Sequence, residues 1–341
     1  MSAPPLTLSG IFEQASISPR LYHLGREIAP CSPETFQAFE DQRLPWPLPW
    51  QQRARVAITF APPGDSTSTP LVWFLAFPLD EQGLLEPAMR DGFIHRLLAT
   101  LGQQPLDALA PVEGVDPLMK DNPLAFDPPP LTMALFHALA ARDAGQPASR
   151  FSEMAESYFN GLSTREHGSS LGWQGVADIV ARKDETRERQ WAMCLDALDD
   201  QALQALCACL EFFPPTTPEL LEALAEQNSV RTGEVAYSCA RAGLASREGR
   251  ASQWADTLLG RDVLADEDLA ILAVRGWHHL EHETRLASFL EHLARSSTLD
   301  MSRWLKELAL LPRLRLPLIM MLRDAPEDSA LALRLSPVTR H

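Results

Sequence analysis

The sequence has no long apolar run. Its longest hydrophobic stretches, LVWFLAF at 71–77 and LPLIMML at 316–322, are much shorter than the roughly 20 residues that a membrane helix needs. The N-terminal stretch MSAPPLTLSGIFEQ carries neither a basic segment nor an apolar run of signal-peptide length. We therefore expect neither a transmembrane segment nor a secretory signal.

Cysteine is scarce and its count is odd: the five are Cys31, Cys194, Cys207, Cys209 and Cys239. Such a set, placed mostly in helical patterns, is typical of reduced thiols in a cytoplasm. Cys207 and Cys209 are two positions apart on a predicted helix, whereas the cysteines of a zinc knuckle need a turn between them. The sequence thus predicts a cytoplasmic protein, and we expect no cofactor.

Basic residues are few compared with acidic ones. The chain has 30 Lys and Arg residues and 45 Asp and Glu residues. Acidic residues exceed basic ones in both parts of the chain: residues 1–130 contain 8 basic and 15 acidic residues, and residues 131–341 contain 22 basic and 30 acidic residues. Because phosphate binding depends on clustered Lys and Arg, a nucleic-acid partner is expected only if a basic groove forms around Arg303 to Arg323. The same acidity disfavours docking on anionic lipid.

The first third of the chain mixes helix and strand patterns. LSGIFEQA at 8–15 predicts a short helix, and Arg20–Leu24 predicts a strand. Ser32-Pro33 predicts the start of a second helix, since Ser is a good N-cap and Pro favours the first helical position. The alternating, β-branched or aromatic segments 54–61 and 71–80 predict a β-hairpin.

A predicted helix over 87–102 leads into a proline-rich stretch, 105–130, beyond which strand patterns disappear. Apolar residues then recur at i, i+3, i+4 and i+7, the spacing of amphipathic helices. From residue 200 onward, helical units begin near positions 200, 231, 266 and 299, about 31 to 35 residues apart. This is the length of a two-helix repeat, although an irregular helical bundle is the alternative.

These patterns together predict an α+β protein. It has a small N-terminal domain with a β-hairpin (1–104), a proline-rich connection (105–130) and a mostly α-helical, HEAT-like array of helix pairs (131–341). Stacked helix pairs bury a continuous core and leave an extended concave surface, which suits protein binding.

Three segments resemble a family of uncharacterised gammaproteobacterial, Pseudomonas-type proteins that carry a domain of unknown function. They are LSGIFEQASISPRLYHLGREIAPCSPETFQAFE at 8–40, LPWPLPWQQ at 44–52, and VWFLAFPLDEQGLLEPAMRDGFIHRLL at 72–98. The resemblance implies a proteobacterial cytosolic protein. It implies no activity and assigns no catalytic residue.

The first candidate site lies where the second hairpin strand ends and the next helix begins. Its residues are Asp80, Glu81, Glu86, Arg90, Asp91 and His95. Asp91 and His95 are an i,i+4 pair that could orient a general base or bind metal. Asp80, Asp91 and His95 are therefore the catalytic candidates, and Asp80, Glu81 and Arg90 are binding candidates. A turn with solvated helix charges is the structural alternative.

A second candidate is PWPLPW, where alternating prolines favour extended backbone around Trp46 and Trp50. If exposed, these tryptophans would anchor a partner. Burial is the favoured interpretation, because an exposed Trp pair promotes aggregation.

The third candidate is WHHLEHE at 277–283. On one continuous helix, His278 and His282 would be an i,i+4 pair able to share a metal ion, but the order of residues is not the H-E-x-x-H pattern of zinc proteases. Helical projection places His279 and His282 near the apolar stripe and His278 towards solvent. We predict a helix break between Gly276 and Thr284, with capping and inter-repeat hydrogen bonding as the roles of these residues.

No catalytic motif stands out: GSSLGWQG at 168–175 lacks the P-loop pattern, and G-x-S-x-G is absent.

The expected function is that of a cytosolic protein-interaction or adaptor protein that uses the helical array surface, with an unidentified protein partner. The alternative is an enzyme or enzyme-regulatory subunit with a site between the N-terminal domain and the array.

Overall fold

The structure, a computed structural model, describes residues 7–60, 70–101, 119, 122–160 and 171–335. The chain forms two compact units, Met1–Pro128 with Leu310–Pro312, and Pro129–Ala309 with Arg313–His341. The first is an α+β unit, and the described residues of the second are helical. None of the described helices is both long and apolar enough to cross a membrane.

The first unit is built on a four-stranded antiparallel sheet with the order β2-β1-β3-β4. Its elements are α1 (Leu8–Gln14), β1 (Arg20–Leu24), β2 (Ile28–Cys31), α2 (Pro33–Glu40), β3 (Arg53–Phe60), β4 (Leu71–Pro78) and α3 (Pro87–Leu101). β3 and β4 form the predicted hairpin, with Arg53 opposite Pro78 and Phe60 opposite Leu71. The predicted helix start at Ser32 is also confirmed, since its side chain accepts the N–H of Thr35.

One face of this sheet carries the hydrophobic core of the first unit. Buried side chains alternate along the strands, as the period of two residues requires. They are Ala54, Val56, Ile58 and Phe60 on β3 and Trp73, Leu75 and Phe77 on β4. The ring of Trp73 packs edge-on against Phe60 and against Phe93 of α3, with centroids 4.8 and 5.7 Å apart.

The second unit consists of helices joined by short connections. They are α4 (Pro130–Asp143), α5 (Ser152–Phe159), α6 (Trp173–Ala181), α7 (Glu185–Ala192), α8 (Asp200–Leu210), α9 (Pro218–Val230), α10 (Gly233–Leu244), α11 (Gly249–Leu259), α12 (Asp266–Val274), α13 (Glu283–Arg295), α14 (Met301–Ala309), α15 (Pro312–Arg323) and α16 (Ala330–Leu335), with 3₁₀ turns at Leu195–Ala197 and Trp277–Glu281.

These helices pack in two alternating rows. In one row α4, α6, α8, α10 and α12 each contact the next member, and in the other row α7, α9, α11 and α13 do the same. Helices also contact across the rows, as α9 and α11 do with α10. From α6 to α13, each helix therefore packs against its neighbours in its own row.

Side-chain hydrogen bonds across successive helix pairs recur at sequence separations near 30 residues. Arg241 and Glu211 are 30 residues apart, Ser246 and Pro215 are 31 apart, and Ser288 and Leu259 are 29 apart. The predicted helical units near 200, 231, 266 and 299 correspond to α8, α10, α12 and α14.

Candidate interaction surface

The segment from Asp80 to His95 forms a turn and the first part of α3. Asp80 closes the turn after β4, because its Oδ1 accepts the backbone N–H groups of Gln82 and Leu84 at 2.7 and 2.9 Å. Glu81 and His95 are exposed. The structure thus gives Asp80 a backbone-capping role typical of a short polar side chain in a turn.

Arg90 and Asp91, the other candidates in this segment, are joined to each other. Arg90 is buried and donates to both Asp91 Oδ1, at 2.9 and 2.7 Å, and the carbonyl oxygen of Glu40, at 2.6 Å. The Glu40 carboxylate in turn accepts the N–H groups of Leu8 and Ser9 at the start of α1. Arg90 therefore links α3 to α2, and Glu40 links α2 to α1.

The two tryptophans of PWPLPW differ in exposure. Trp46 is fully buried, with its ring 4.9 Å from that of Phe39 and 4.7 Å from that of His23. Trp50 is half-buried, and the guanidinium of Arg26 lies 5.5 Å from its ring centroid. Trp46 is thus a core residue. Trp50 lies at the edge of the same unit and packs against the guanidinium of Arg26.

WHHLEHE contains the predicted helix break. α12 ends at Val274, a 3₁₀ turn covers Trp277–Glu281, and α13 begins at Glu283. His278 Nε2 lies 2.9 Å from the carbonyl oxygen of Ser246, and His279 Nε2 lies 3.1 Å from that of Leu244. Since a carbonyl oxygen can only accept, each ring donates through its Nε2–H.

The placement of the histidines corrects the helical projection. His279 is buried, as predicted, but His282 is exposed and His278 is largely covered. The projection assumed 100° per residue, whereas a 3₁₀ helix turns by about 120° per residue. Burial lowers the pKa of His278 to about 3 and that of His279 to about 4, with neighbouring positive charge adding to the effect.

His278 and His282, the metal candidates, therefore sit in different environments. The Nε2 of His278 is engaged with Ser246, while His282 Nδ1 lies 3.0 Å from Thr284 Oγ1 on the exposed side of the turn. Within the part of the chain that the structure describes, no group of three or more His, Cys, Asp and Glu side chains could hold a metal ion.

Ion pairs join neighbouring helices along the α7, α9, α11 and α13 row. Arg189 of α7 pairs with Glu219 of α9, at 3.2 Å, and Arg285 of α13 pairs with Asp256 of α11, at 2.6 Å. Arg250 of α11 pairs with Glu222 of α9, at 3.2 Å. A surface on which charged side chains form ion pairs between helices is typical of a solvent-exposed face.

α15 has a different surface, because it is apolar on two sides. Leu314 and Leu318 are buried, as expected for a helix packed on one face. Leu316, Ile319 and Met320 lie on the opposite side and are 65%, 49% and 46% exposed. α15 therefore presents a second apolar stripe, whose side chains are about half exposed.

Arginines flank this stripe. Arg313, Leu316, Met320 and Arg323 are spaced i, i+3, i+7 and i+10, which is the a/d spacing of a helix seam. The Arg313 and Arg323 side chains are 77% and 70% exposed. We call Arg313, Leu316, Ile319, Met320 and Arg323 the α15 face.

The charge of α14 and α15 differs from that of the whole chain. Between Met301 and Arg323 there are five basic residues and one acidic residue, although the chain as a whole carries −15. Within these two helices, every exposed charged side chain is basic: Arg303, Lys306, Arg313 and Arg323. The basic residues between Arg303 and Arg323 that the sequence analysis singled out therefore lie mostly on the surface.

A groove runs beside the α15 face. It has a volume of about 520 Å³, its apolar lining includes Leu290 of α13, Met320 and Met321 of α15 and Leu331 of α16, and Glu283 and Glu291 are among its polar lining. Sequence reasoning missed this surface. The signal for this surface in the sequence is LPLIMML, because a helix that buries one face does not need an apolar residue at every position. Its length indicated only that it is too short to cross a membrane.

The fold defines a two-unit α+β protein whose helical unit exposes an apolar and basic helix face. The chain belongs to the family described as "protein of unknown function (DUF3549)", which matches residues 6–336. No curated protein and no solved structure matches the chain. The predicted resemblance to a family with a domain of unknown function is thus confirmed over nearly the whole chain, and the gammaproteobacterial origin stays a prediction.

Proposed function

We propose that this is a cytosolic protein-interaction or adaptor protein, and that its helical unit binds a partner protein through the α15 face. The observation that carries the proposal is the second apolar stripe of α15, in which Leu316, Ile319 and Met320 are about half exposed. Contiguous exposed apolar side chains with a polar rim are typical of interaction sites.

A HEAT-like array is the form of the helical unit that best fits this role. Two observations support it: helices of alternate rows contact their equivalents in the next pair, and hydrogen bonds recur near 30 residues. In such arrays each pair contacts only its neighbours, so the last pairs have one side without a further repeat. An exposed apolar helix near the end of the array is then expected to need a partner or a cap.

Covering the stripe would contribute favourably to the free energy of binding. Full burial of a Leu, Ile or Met side chain stabilises the buried state by about 1.5–3 kcal/mol relative to leaving that side chain in water. Because these three are about half exposed, a partner that covers all of them gains about 2–4 kcal/mol in total. This is about 1 kcal/mol per side chain, the size expected of interface residues that contribute together rather than of a single hot-spot residue.

The alternative of an enzyme or enzyme-regulatory subunit has less support. Asp80, its first catalytic candidate, accepts two backbone N–H groups of its own turn. Asp91 pairs with Arg90, which itself connects two helices of the first unit. These partners give Asp80, Arg90 and Asp91 structural roles.

The test compares two double variants in pull-downs from the native host. Leu316→Glu/Ile319→Glu places two charges in the stripe, and we expect it to abolish recovery of a stoichiometric protein partner. Val230→Glu/Val263→Glu is the matched control, because these valines are 65% and 83% exposed elsewhere on the unit.

Both double variants are expected to keep the helical circular dichroism of the wild type. Recovery of the same partner by the Leu316→Glu/Ile319→Glu variant would refute the role of the α15 face. Loss of the partner in the control variant would do so as well, because the effect would not be specific to α15.

A further inference from the structure

We propose that the partner segment that docks on the α15 face is an acidic amphipathic α-helix of another protein. This inference rests on the proposed function and specifies the chemistry of its partner. It follows from three properties of the α15 face: the spacing of its residues, its charge and its surroundings.

The spacing points to a helix. Arg313, Leu316, Met320 and Arg323 follow the i, i+3, i+7, i+10 spacing with which one helix lies along another. Ile319 widens the apolar stripe beside Met320. A partner helix of about three turns covers this seam, since residues 313 to 323 span about 15 Å at 1.5 Å per residue.

The charge points to acidic residues on that helix. The two ends of the seam are arginines, and the side chain of each is mostly exposed. Arg313 Nη1 contacts Glu281 at 3.2 Å, and Arg323 contacts Asp324 at 2.7 and 2.8 Å. A guanidinium has five N–H donors, so one carboxylate leaves donors for a second.

The surroundings restrict where those acidic residues can lie. Glu283, Glu291 and Asp324 line the groove beside Met320, and acidic residues of a partner that face into the groove would be repelled. The partner helix therefore carries apolar residues along the seam and towards the groove. Its Asp or Glu residues are about three turns apart, one at each arginine.

Other occupants fit less well. A basic amphipathic helix can also lie on anionic lipid, but only two exposed arginines flank this stripe and the chain carries −15 overall. A nucleic acid would meet the arginines but would leave Leu316 and Ile319 uncovered. In a second copy, the exposed face of α9 offers Glu219, Glu222 and Glu226 without an apolar stripe between them.

The experiment measures binding of the full-length protein to two labelled synthetic helical peptides by fluorescence anisotropy. Both peptides carry leucines at i, i+4, i+7 and i+11, and they differ only in having Glu or Lys at two flanking positions three turns apart. We expect the Glu peptide to bind about 5- to 30-fold more tightly at low salt, because each exposed ion pair contributes a factor of about 1.5 to 5 and the Lys peptide adds repulsion. The preference should shrink as salt rises.

Two arginine variants test the charge. Arg313→Glu/Arg323→Glu is expected to reverse the preference, so that the Lys peptide binds more tightly. Because new carboxylates beside Glu281 and Asp324 would perturb folding, Arg313→Gln/Arg323→Gln is the second variant, and it should make the two peptides bind equally.

A further variant tests the apolar stripe. Leu316→Glu/Ile319→Glu should weaken binding of both peptides at least about tenfold, since it removes apolar contact at the centre of the seam.

Several results would overturn the proposal. They are equal binding of both peptides by the wild type, a preference that the arginine variants leave unchanged, or binding of phosphatidylserine vesicles or duplex DNA that outcompetes the Glu peptide. A dimer in sedimentation velocity that Leu316→Glu/Ile319→Glu dissociates would assign the face to a second copy instead. If the host pull-down depends on Leu316 and Ile319 while the peptides show no charge preference, the partner chemistry is wrong and the proposed function stands.

Discussion

The buried carboxylate of Glu188 in α7 caps the next helix of its row through Thr217, whose backbone N–H it accepts at 2.7 Å. Thr217 is the N-cap residue of α9. The same carboxylate accepts the N–H of Thr216 at 2.8 Å and a hydrogen bond from Lys183. Free N–H groups at a helix start favour an anion, and one glutamate accepts hydrogen bonds from three donors at this point of the chain.

Replacement of Glu188 should therefore destabilise the helical unit. Glu188→Gln keeps the shape but loses the charge that Lys183 and the N-terminus of α9 require, and we expect a loss of about 1–3 kcal/mol in the free energy of unfolding. Glu188→Ala should cost about 3–5 kcal/mol, because the ammonium of Lys183 then stays without its carboxylate. Urea unfolding followed by circular dichroism measures both.

The control is Glu185→Gln, one turn earlier on the same helix, where the side chain is 69% exposed. We expect a change within about 0.5 kcal/mol. Equal losses for the two glutamine variants would show that the capping interaction does not matter to stability.

Part of the pH dependence of stability should come from the histidines of the 3₁₀ turn. In the folded protein burial lowers the pKa of His279 to about 4, and the unfolded chain has the ordinary value near 6.5. Below pH 6.5 the unfolded state binds more protons, so stability is complete above that pH and is lost progressively between pH 6.5 and about 4. The slope is about 1.4 kcal/mol per pH unit for each such histidine.

Urea unfolding at pH 7.5, 6.5 and 5.5 tests this. His279→Gln can still donate to Leu244 but cannot be protonated, so its loss of stability below pH 6.5 should be shallower than that of the wild type. The exposed His282→Gln is the matched control and should follow the wild type. A His279→Gln variant with the same pH slope as the wild type would contradict the assignment.

Gly175 in α6 should not tolerate a side chain. A Cβ there would lie 2.4 Å from the carbonyl oxygen of Phe151, a backbone atom that cannot move aside alone. Gly175→Ala should therefore lower stability by about 1–3 kcal/mol, although alanine is the better helix former. Gly249→Ala, where a Cβ would meet nothing within 4 Å, is the control and should be neutral or stabilising. Thermal melts that rank the two variants in the opposite order would refute the close packing.

Much of the fold could be predicted from the sequence, because apolar periodicity and caps act locally. The hairpin of β3 and β4, the start of α2 at Ser32-Pro33 and the helix break between Gly276 and Thr284 are all confirmed. β2 was missed, since it has four residues including Pro30, and only its pairing with β1 makes it a strand.

The candidate surface could not be predicted for a related reason. In LPLIMML every position is apolar, so periodicity cannot tell which side of α15 is buried. Only the packing distinguishes buried Leu318 from exposed Leu316. In the same way, the roles of His278 and His279 depend on the carbonyl oxygens of Ser246 and Leu244, which lie more than 30 residues earlier in the chain.

The central claim is that the α15 face contacts a partner protein, and site-specific photo-crosslinking in the native host tests it most directly. A photoreactive amino acid replaces Leu316 in one strain and the exposed Val263 in another. We predict a discrete crosslinked product with one partner protein from position 316 and none from position 263. The absence of any product at position 316, or the same products from both positions, would contradict the account.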